Sequence, residues 1–486
     1  MRYSTPEQAG LASRHLIDFF HRLESRNLST HSVLMARGDD IFCECYYKPF
    51  HKDFKHRMYS VSKSFVSVAV GFCLQDGLLS LDDPMLKYFP EYAADGAPNA
   101  TLREMLQMES AVEGHLKSWF RTVKDDRVPC YFTLSTRKYP GTLFAYDSAG
   151  SYMLGVIVEK VTGKPFLEYL KEKALNGIGF SKDSYCLQAP GGYSWGDSGV
   201  MCTAMDLMLF ARFVLNMGTW EGKRYMNADY LRAATTTSVC NNDYGFVSHE
   251  TFGYGYQFWG APKGCFAMLG MGNQVALCDP VHDFIFVINS DNQGNTHGYD
   301  QIFDALYATV IAHLQDAHLQ ENAADRRALQ ELLSTRELFC LCGDSKEKVA
   351  ERVEKKRFWC DPNPMGIKWI SFSFTEDEGT LFYENEQGEK ALTFGFGHNV
   401  FGKFPQLDYP DLVGMVPAKG NRYDCACSAD WPEPQKLRIR VQIIDKYFGN
   451  LAIICSFRDE DHLSVRMTKK AEHFLEEYSG ILNAKA

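Results

Sequence analysis

A long apolar run follows Ser60 and forms the clearest helical signal in the chain. Positions 65 to 74 carry mostly apolar side chains, contain no proline, and are followed by the pair Asp76-Gly77. This pattern predicts a helix that is buried on most of its sides and ends at a glycine. Ser60 is placed at the first turn of that helix.

Apolar and alternating segments on both sides of this helix predict one antiparallel sheet. Residues 32–46 predict two short strands around a Gly-Asp turn. Further strands are predicted at 252–259, 265–269, 274–278 and 284–289, and helices at 13–26, 87–92, 101–108, 150–161, 166–173, 204–217 and 299–316. Strands, then helices, then strands and a helix indicate an α+β domain over residues 1–335 rather than a βαβ repeat. Its helical insertion spans about 80–240.

The pattern changes after a polar helical connector at 320–335. Short, nearly alternating segments follow at 369–374, 380–383, 391–394, 437–443 and 451–457, with turn residues between them. They predict a C-terminal antiparallel β domain over residues 341–486, either a barrel or a sandwich. Nothing in its sequence indicates what this domain does.

Composition narrows the class of protein and of partner. The chain has 486 residues, 45% of them apolar and 23% charged, as in ordinary globular proteins. A net charge of −10 without any basic block argues against a nucleic-acid partner. No apolar run approaches 18 residues and the N-terminus lacks the apolar core of a signal peptide, so we expect no membrane partner. The 15 cysteines form no C-x-x-C motif, which favours free thiols in a reducing cytoplasm.

Ser60 and Lys63 are the first candidates for chemistry. Because they stand three residues apart, a helix places them on one face. A serine hydroxyl needs a base to become a good nucleophile, and a desolvated lysine can serve as that base. Two other Ser-x-x-Lys matches, at 135–138 and 345–348, lie in polar or mixed stretches. Tyr146, in a loop just before a helix, is the candidate that relays the proton to the leaving group.

Several stretches, taken in order, resemble the β-lactamase-related serine hydrolases: class C β-lactamases, penicillin-binding proteins, D-aminopeptidases and family VIII esterases. Residues 59–65 resemble the S-x-x-K box, and 140–148 resemble the Y-x-N/S box, with Tyr146 first and Ser148 third. The family's usual sequence is also resembled by four other segments, at 76–84, 101–106, 161–166 and 203–207. The resemblance covers roughly residues 5–315. It implies a β-lactamase/transpeptidase-like fold, an acyl-enzyme and no cofactor.

The third box of the family departs from its pattern here. The family places K-T-G or H-x-G on the strand beside the nucleophile, and residues 266–274 correspond to it. Gly270 keeps the glycine, but Met268 stands where lysine or histidine is usual. The resemblance implies an oxyanion hole made by the backbone N–H groups of Ser60 and Met271. Without the cation, neutral esters and amides become better candidates than substrates bound through a carboxylate.

Trp195 is a further candidate for the substrate cleft, together with Tyr193 and the adjacent Gly-Asp-Ser-Gly stretch at 196–199. That stretch looks like the serine neighbourhood of trypsin-like proteases, but the surrounding helical segments do not suit their all-β fold. The 14 histidines show neither H-E-x-x-H nor close pairs, so we expect no catalytic metal.

The sequence predicts a cytoplasmic, cofactor-free serine hydrolase acting on small esters or amides, including D-amino-acid or short-peptide amides. One alternative is a catalytically weak or inactive member that binds an acyl ligand or a partner protein. A lesser alternative is a β-lactamase or D-alanine carboxypeptidase. The sequence does not indicate the oligomeric state.

Overall fold

The computed structural model describes residues 1–94, 96–112, 125–134, 139–242, 251–343 and 348–486. The chain divides into two compact units. The first is Met1–Glu337 with Leu412–Gly414, and the second is Leu338–Asp411 with Met415–Ala486.

The first unit combines helices with short and long strands. Its helices are α1 (Ser13–Ser25), α2 (Ser62–Gln75), α3 (Leu102–Leu106), α4 (Arg127–Tyr131), α5 (Ser148–Thr162), α6 (Phe166–Lys173), α7 (Ala204–Leu215), α8 (Ala228–Thr235), α9 (Gly298–Thr309) and α10 (Ala323–Ser334). Its strands are β1 (Arg2–Tyr3), β2 (Thr30–Arg37), β3 (Asp40–Tyr46), β4 (His56–Arg57), β5 (Tyr185–Cys186), β6 (Val200–Cys202), β7 (Thr219–Trp220), β8 (Lys223–Arg224), β9 (Trp259–Gly260), β10 (Phe266–Gly270), β11 (Gln274–Asp279) and β12 (Phe284–Ser290).

The main sheet of this unit has the strand order β1-β3-β2-β12-β11-β10-β9. Its pairings are antiparallel except for the short parallel pairing of β1 with β3. The α+β prediction with an antiparallel sheet is therefore confirmed. Strands distant in sequence, β2 and β12, become neighbours in the middle of the sheet, which ties the N-terminal hairpin to the last strands of the unit.

The central strand β12 is buried on both of its faces, and it is almost wholly apolar. Phe284, Phe286 and Ile288 belong to a cluster that includes Phe19 and Phe20 of α1. The alternate residues of β12 are also fully buried, and α7 packs against that strand. A strand buried on both faces cannot show polar alternation, which explains the continuous apolar runs in the sequence.

Three predicted elements differ from the structure. The helix expected at 87–92 is replaced by the short 3₁₀ turns Met85–Lys87 and Pro90–Tyr92. The segment 252–259 forms a loop with isolated bridges, and only Trp259 and Gly260 form a strand. Methyl groups built at Gly255 and Gly260 would overlap backbone carbonyl oxygens, so the chain is folded tightly there rather than extended. The helix expected over 299–316 ends at Thr309, because the β-branched residues Thr309, Val310 and Ile311 disfavour its continuation.

The second unit begins with α11 (Lys348–Val353) and is otherwise a β structure. Its strands are β13 (Arg357–Cys360), β14 (Trp369–Phe374), β15 (Glu378–Asn385), β16 (Gly388–Phe396), β17 (Val400–Lys403), β18 (Asp424–Glu433), β19 (Lys436–Ile444), β20 (Phe448–Phe457), β21 (His462–Ala471) and β22 (Gly480–Lys485). They follow the order β16-β15-β14-β13-β22-β21-β20-β19-β18-β17. A parallel pairing of β16 with β18 closes the sheet into a nine-stranded barrel and leaves β17 on the edge of β18. Of the two architectures predicted, the barrel is confirmed.

Two further observations concern the whole chain. Each of the 15 cysteines is a free thiol, and Cys43, Cys45, Cys425 and Cys427 are buried. Among the helices that the structure describes, none has the length and apolar content needed to cross a membrane.

Candidate active site

The backbone turns sharply just before α2 and presents Ser60 at the turn. Residues Tyr59–Val61 form a short 3₁₀ turn, and Tyr59 adopts a left-handed backbone with φ of 48°. Such a conformation is unfavourable for a bulky residue and persists only where the surroundings enforce it. Two hydrogen bonds anchor the turn to β6: the Met58 N–H donates to the Val200 carbonyl at 2.9 Å, and the Val200 N–H donates to Ser62 Oγ at 3.0 Å.

Lys63 lies one helical turn after Ser60 and is almost completely buried. Its side chain is 2% exposed. Its Nζ atom lies 3.0 Å from Ser60 Oγ and 2.8 Å from the backbone carbonyl oxygen of Asp197, to which it donates. Ser60 itself is half-buried, so its hydroxyl remains reachable. The spacing expected from the sequence thus brings the two side chains into direct hydrogen-bond contact.

Tyr146 joins this pair through the loop that precedes α5. The Lys63 Nζ atom lies 5.0 Å from the centroid of the Tyr146 ring, within the range of a cation–π contact. The Tyr146 ring also stacks on Trp259, at 5.4 Å between centroids and 24° between planes. The Ala145 N–H donates to the Met108 carbonyl at 2.8 Å and so ties the loop to the end of α3.

Asp147 caps the N-terminus of α5 directly after Tyr146. It is fully buried, and its carboxylate accepts hydrogen bonds from Ser110 Oγ at 2.6 Å and from the Gly150 N–H at 2.9 Å. Burial raises the pKa of Asp147 from 3.8 to about 6, although these hydrogen bonds and the charge of Lys63 act in the opposite direction. These hydrogen bonds fix the backbone directly after Tyr146.

The end of strand β10 lies next to the Ser60 turn and corresponds to the third box of the sequence. A methyl group built at Gly270 would overlap the carbonyl oxygen of Met58, so only glycine lets this strand lie so close to the Ser60 turn. The Tyr299 hydroxyl donates to the Gly270 carbonyl oxygen, and Gln274 Nε2 donates to that of Met271 at 3.0 Å. The Met271 side chain is 37% exposed. The strand end is therefore fixed beside the nucleophile turn.

Two of the predicted substrate-binding residues need correction. Met268 and Trp195 both have 0% of their surface exposed. Met268 lies inside β10 with its side chain packed within the unit, and Trp195 packs against the guanidinium groups of Arg57 and Arg127. A side chain without accessible surface cannot touch a substrate, so direct contact is withdrawn for both. Ser148, the third predicted substrate-binding residue, lies at the first position of α5 and is only 1% exposed, so almost none of its surface is available to a substrate.

A group of buried charges lies behind Lys63, in the stretch that also resembled a trypsin-like serine site. Arg57 donates from Nε to the Ser198 carbonyl at 3.0 Å and from Nη2 to Ser198 Oγ at 3.1 Å. Ser198 is 4% exposed and binds this guanidinium rather than a general base. Asp197 is fully buried, and its pKa is raised by desolvation, while Lys63, Arg127 and Arg57 oppose that shift.

The sequence interpretation missed the parts played by Asp147, Trp259 and the Asp197 side chain. Asp147 had a local signal, because an aspartate directly before a helical run is a common N-cap. Trp259 and Asp197 had none, since they reach the site through contacts distant in sequence. Among the described residues, no three histidine, cysteine, aspartate or glutamate side chains are grouped as metal ligands. Ser135, Lys138 and Ser345, from the other Ser-x-x-Lys matches, lie outside the described residues.

Comparisons with known proteins agree on one family. The family described as "Beta-lactamase" matches residues 19–309. The 6-aminohexanoate-dimer hydrolase of Paenarthrobacter ureafaciens is 29% identical over 299 residues, which span 57% of this chain and 76% of that protein. The Penicillin-binding protein 4* of Bacillus subtilis is 22% identical over 175 residues, or 32% of this chain and 38% of that protein.

Two solved structures share the fold. One is titled a putative 6-aminohexanoate-dimer hydrolase from Bacillus anthracis; its TM-score is 0.54 at 19% identity, over 64% of this chain and 86% of that one. The other is a family VIII carboxylesterase with a TM-score of 0.52 at 16% identity, over 63% of this chain and 99% of that one. At these identities the likeness concerns the fold alone, and it agrees with the β-lactamase/transpeptidase-like fold expected from the sequence.

Proposed function

Because the chain belongs to the beta-lactamase family of serine hydrolases, we propose that it hydrolyses small amides or esters through an acyl-enzyme on Ser60. One observation carries this proposal: the Nζ atom of a buried lysine, Lys63, lies 3.0 Å from Ser60 Oγ. A serine in contact with a desolvated amine has the base that nucleophilic attack requires. Ser60 is only half-buried, as a residue that a substrate must reach should be.

In the proposed acylation, Ser60 Oγ forms a bond to the substrate carbonyl carbon and its proton passes to Lys63 Nζ. The bond from that carbon to the leaving nitrogen or oxygen then breaks, and the Tyr146 hydroxyl supplies the leaving group with a proton. Water next attacks the acyl carbon, gives up a proton to the same pair of side chains, and releases the acid. Ser60 Oγ regains its proton, so the cycle closes without any cofactor.

We assign stabilisation of the oxyanion to the backbone N–H groups of Ser60 and Met271. Two features support this assignment. The Ser60 turn precedes the N-terminus of α2, which favours negative charge. The glycine at 270 lets the end of β10 approach this turn, so that the next residue, Met271, is close to it. Both groups belong to fixed backbone, so little reorganisation accompanies the reaction.

For the substrate we propose linear amides first and small esters second. The relative from Paenarthrobacter ureafaciens is named for hydrolysis of the 6-aminohexanoate dimer, in which an amide bond joins two amino-acid units. In this chain Met268, a buried apolar residue, occupies the place where many family members have a cation. Recognition of a substrate carboxylate by that cation is therefore not part of the proposal, and slow turnover of β-lactams is expected.

The test uses a fluorophosphonate, which labels activated serines covalently. We expect one adduct per chain on the peptide that contains Ser60, and none in Ser60→Ala or Lys63→Ala. Ser198→Ala is the matched control: it removes another buried serine close to Lys63 and should label like the wild type. Absence of an adduct on native wild-type protein would refute the catalytic role and favour a binding protein for an acyl ligand or a partner.

Substrate preference is tested separately, because an activated serine does not define its substrate. Hydrolysis of the 6-aminohexanoate dimer, p-nitrophenyl acetate and a chromogenic cephalosporin is compared at equal enzyme concentration, with Ser60→Ala as the blank. We expect the amide and the ester to be cleaved far faster than the cephalosporin. Preferential cleavage of the cephalosporin would overturn the substrate assignment while leaving the nucleophile intact.

A further inference from the structure

Asp197 carries a buried carboxylate whose placement is unusual. The residue is 0% exposed. Within the described residues, neither of its carboxylate oxygens has a hydrogen-bond partner. Its backbone carbonyl oxygen, in contrast, accepts a hydrogen bond of 2.8 Å from Lys63 Nζ. The residue therefore contacts the proposed base through its backbone and leaves its side-chain charge uncompensated by hydrogen bonds.

Such a carboxylate needs another source of stabilisation, because burying an unpaired charge is costly. Cations surround it on three elements: Lys63 on α2, Arg57 on β4 and Arg127 on α4. Guanidinium groups remain charged at all working pH values, so two of these cations are permanent. They favour the ionised form of Asp197 despite its burial.

The charges around Asp197 also bear on the protonation of Lys63. Lys63, Arg57 and Arg127 all act on the Asp197 carboxylate, and a like charge close to a lysine disfavours its ammonium form. The negative charge of Asp197 favours the ammonium form. Asp147, at the cap of α5, has the same effect, because its carboxylate also interacts with Lys63. Uncharged groups near these charges include the Ser60 hydroxyl and the Tyr146 ring at Lys63, and Tyr152 and Cys186 at Asp197.

We propose that the Asp197 carboxylate is a positioning residue for catalysis: it is the buried counter-charge of Lys63 and sets the pH range in which the Lys63 amine can accept the Ser60 proton. The inference rests on the proposed role of Lys63 as the base. It assigns no contact between Asp197 and the substrate. A negative charge beside the Lys63 amine stabilises the protonated form of the amine. It therefore shifts the onset of activity toward higher pH.

Asparagine at position 197 separates this electrostatic role from a structural one. It keeps the shape of the side chain and the backbone carbonyl that receives the Lys63 hydrogen bond, and removes only the charge. An opposite charge within about 4–6 Å shifts a pKa by roughly 1–3 units. Asp197→Asn should therefore lower the midpoint of the acid limb by about one to two pH units.

The experiment follows the rate of fluorophosphonate labelling of Ser60 between pH 5 and 10. We expect a lower midpoint in Asp197→Asn than in the wild type, and an unchanged midpoint in Ser198→Ala, which alters the neighbouring buried residue without altering charge. A folded Asp197→Asn protein with the wild-type midpoint overturns the inference, even if its maximal rate is reduced. If Asp197→Asn does not fold, Asp197→Ser is used with the same expectation.

Failure of the proposed function gives a different result, since wild-type protein would then not be labelled at any pH. In that case the ¹³Cε NMR signal of Lys63, assigned by its loss in Lys63→Arg, supplies the same comparison without activity. A titration midpoint that is lower in Asp197→Asn than in the wild type supports the counter-charge. Equal midpoints refute it.

Discussion

Replacing Gly270 by alanine tests whether the close approach of β10 to the Ser60 turn is what forms the site. The new methyl group would lie closer than 3.0 Å to the Met58 carbonyl oxygen and 3.1 Å from Gln274 Cβ. The first obstacle is backbone, two residues before the nucleophile, so it cannot rotate away. The strand or the turn must move by several tenths of an ångström or more.

The expected cost follows from that displacement. Overpacking a well-filled interior costs about 1–3 kcal/mol, and a misplacement of about 1 Å near reacting groups costs on the order of 10²-fold in rate. We expect Gly270→Ala to lose about 1–3 kcal/mol of stability and to lower the rate of ester hydrolysis by about 10- to 100-fold.

Urea unfolding and hydrolysis of p-nitrophenyl acetate measure the two effects on the same samples. Gly402→Ala is the matched control: Gly402 also lies in a strand, β17, but a methyl group there meets nothing within 4 Å. We expect this control to change stability by less than about 0.5 kcal/mol and activity not at all. Wild-type stability and rate in Gly270→Ala would refute the idea that this contact positions the oxyanion hole.

Three further predictions concern neighbouring groups. Burial lowers the pKa of His56, which is hydrogen-bonded to His31, from 6.5 to about 3. The folded state then binds fewer protons than the unfolded state between these values, so stability is lost as pH falls below 6.5, by about 2–3 kcal/mol from pH 6.5 to 4.5. His56→Gln should flatten this part of a urea-midpoint profile, and an unchanged slope would contradict the assignment. The raised pKa of Asp147 affects stability in the opposite direction from that of His56. Its contribution to the free energy of unfolding is fully present below pH 3.8 and is lost as pH rises through about 6, a change of about 3 kcal/mol. Asp147→Asn should therefore gain stability relative to the wild type at pH 8 and not at pH 4, as measured by urea unfolding at both values. Trp259→Leu removes the ring stacked on Tyr146 and should slow ester hydrolysis by about tenfold, whereas Trp259→Phe should retain most of the rate. Equal rates in both variants would show that the stacking does not orient Tyr146.

The sequence predicts local geometry well, since local geometry depends on spacing. Ser60 and Lys63 are three residues apart, in the 3₁₀ turn and the first turn of α2, and this spacing lets Lys63 Nζ lie 3.0 Å from Ser60 Oγ. The paired strands 32–46 and the strands after residue 265 are also found where apolar patterning places them. These features require no knowledge of distant parts of the chain.

Features that depend on distant contacts could not be predicted in this way. Trp195 is an aromatic residue in a loop near a catalytic motif, a pattern that suits a cleft, yet it is completely buried and packs against two guanidinium groups. The segment 252–259 has the aromatic content of a strand, but its glycines permit a tight loop against Ala234. In both cases the tertiary neighbours, rather than the local sequence, determine the outcome.

The closure of the barrel has a consequence for how the chain is synthesised. The strand Gly480–Lys485 lies between β21 and β13, and Trp359 pairs with Lys485 across more than a hundred residues of chain. Pairings this distant in sequence form slowly, because the intervening chain must first be ordered. During translation, β13 therefore lacks this neighbour until residues 480–485 have been synthesised and have left the ribosome. A chain that lacks this strand would expose the unpaired edges of β13 and β21, and such edges are prone to aggregation.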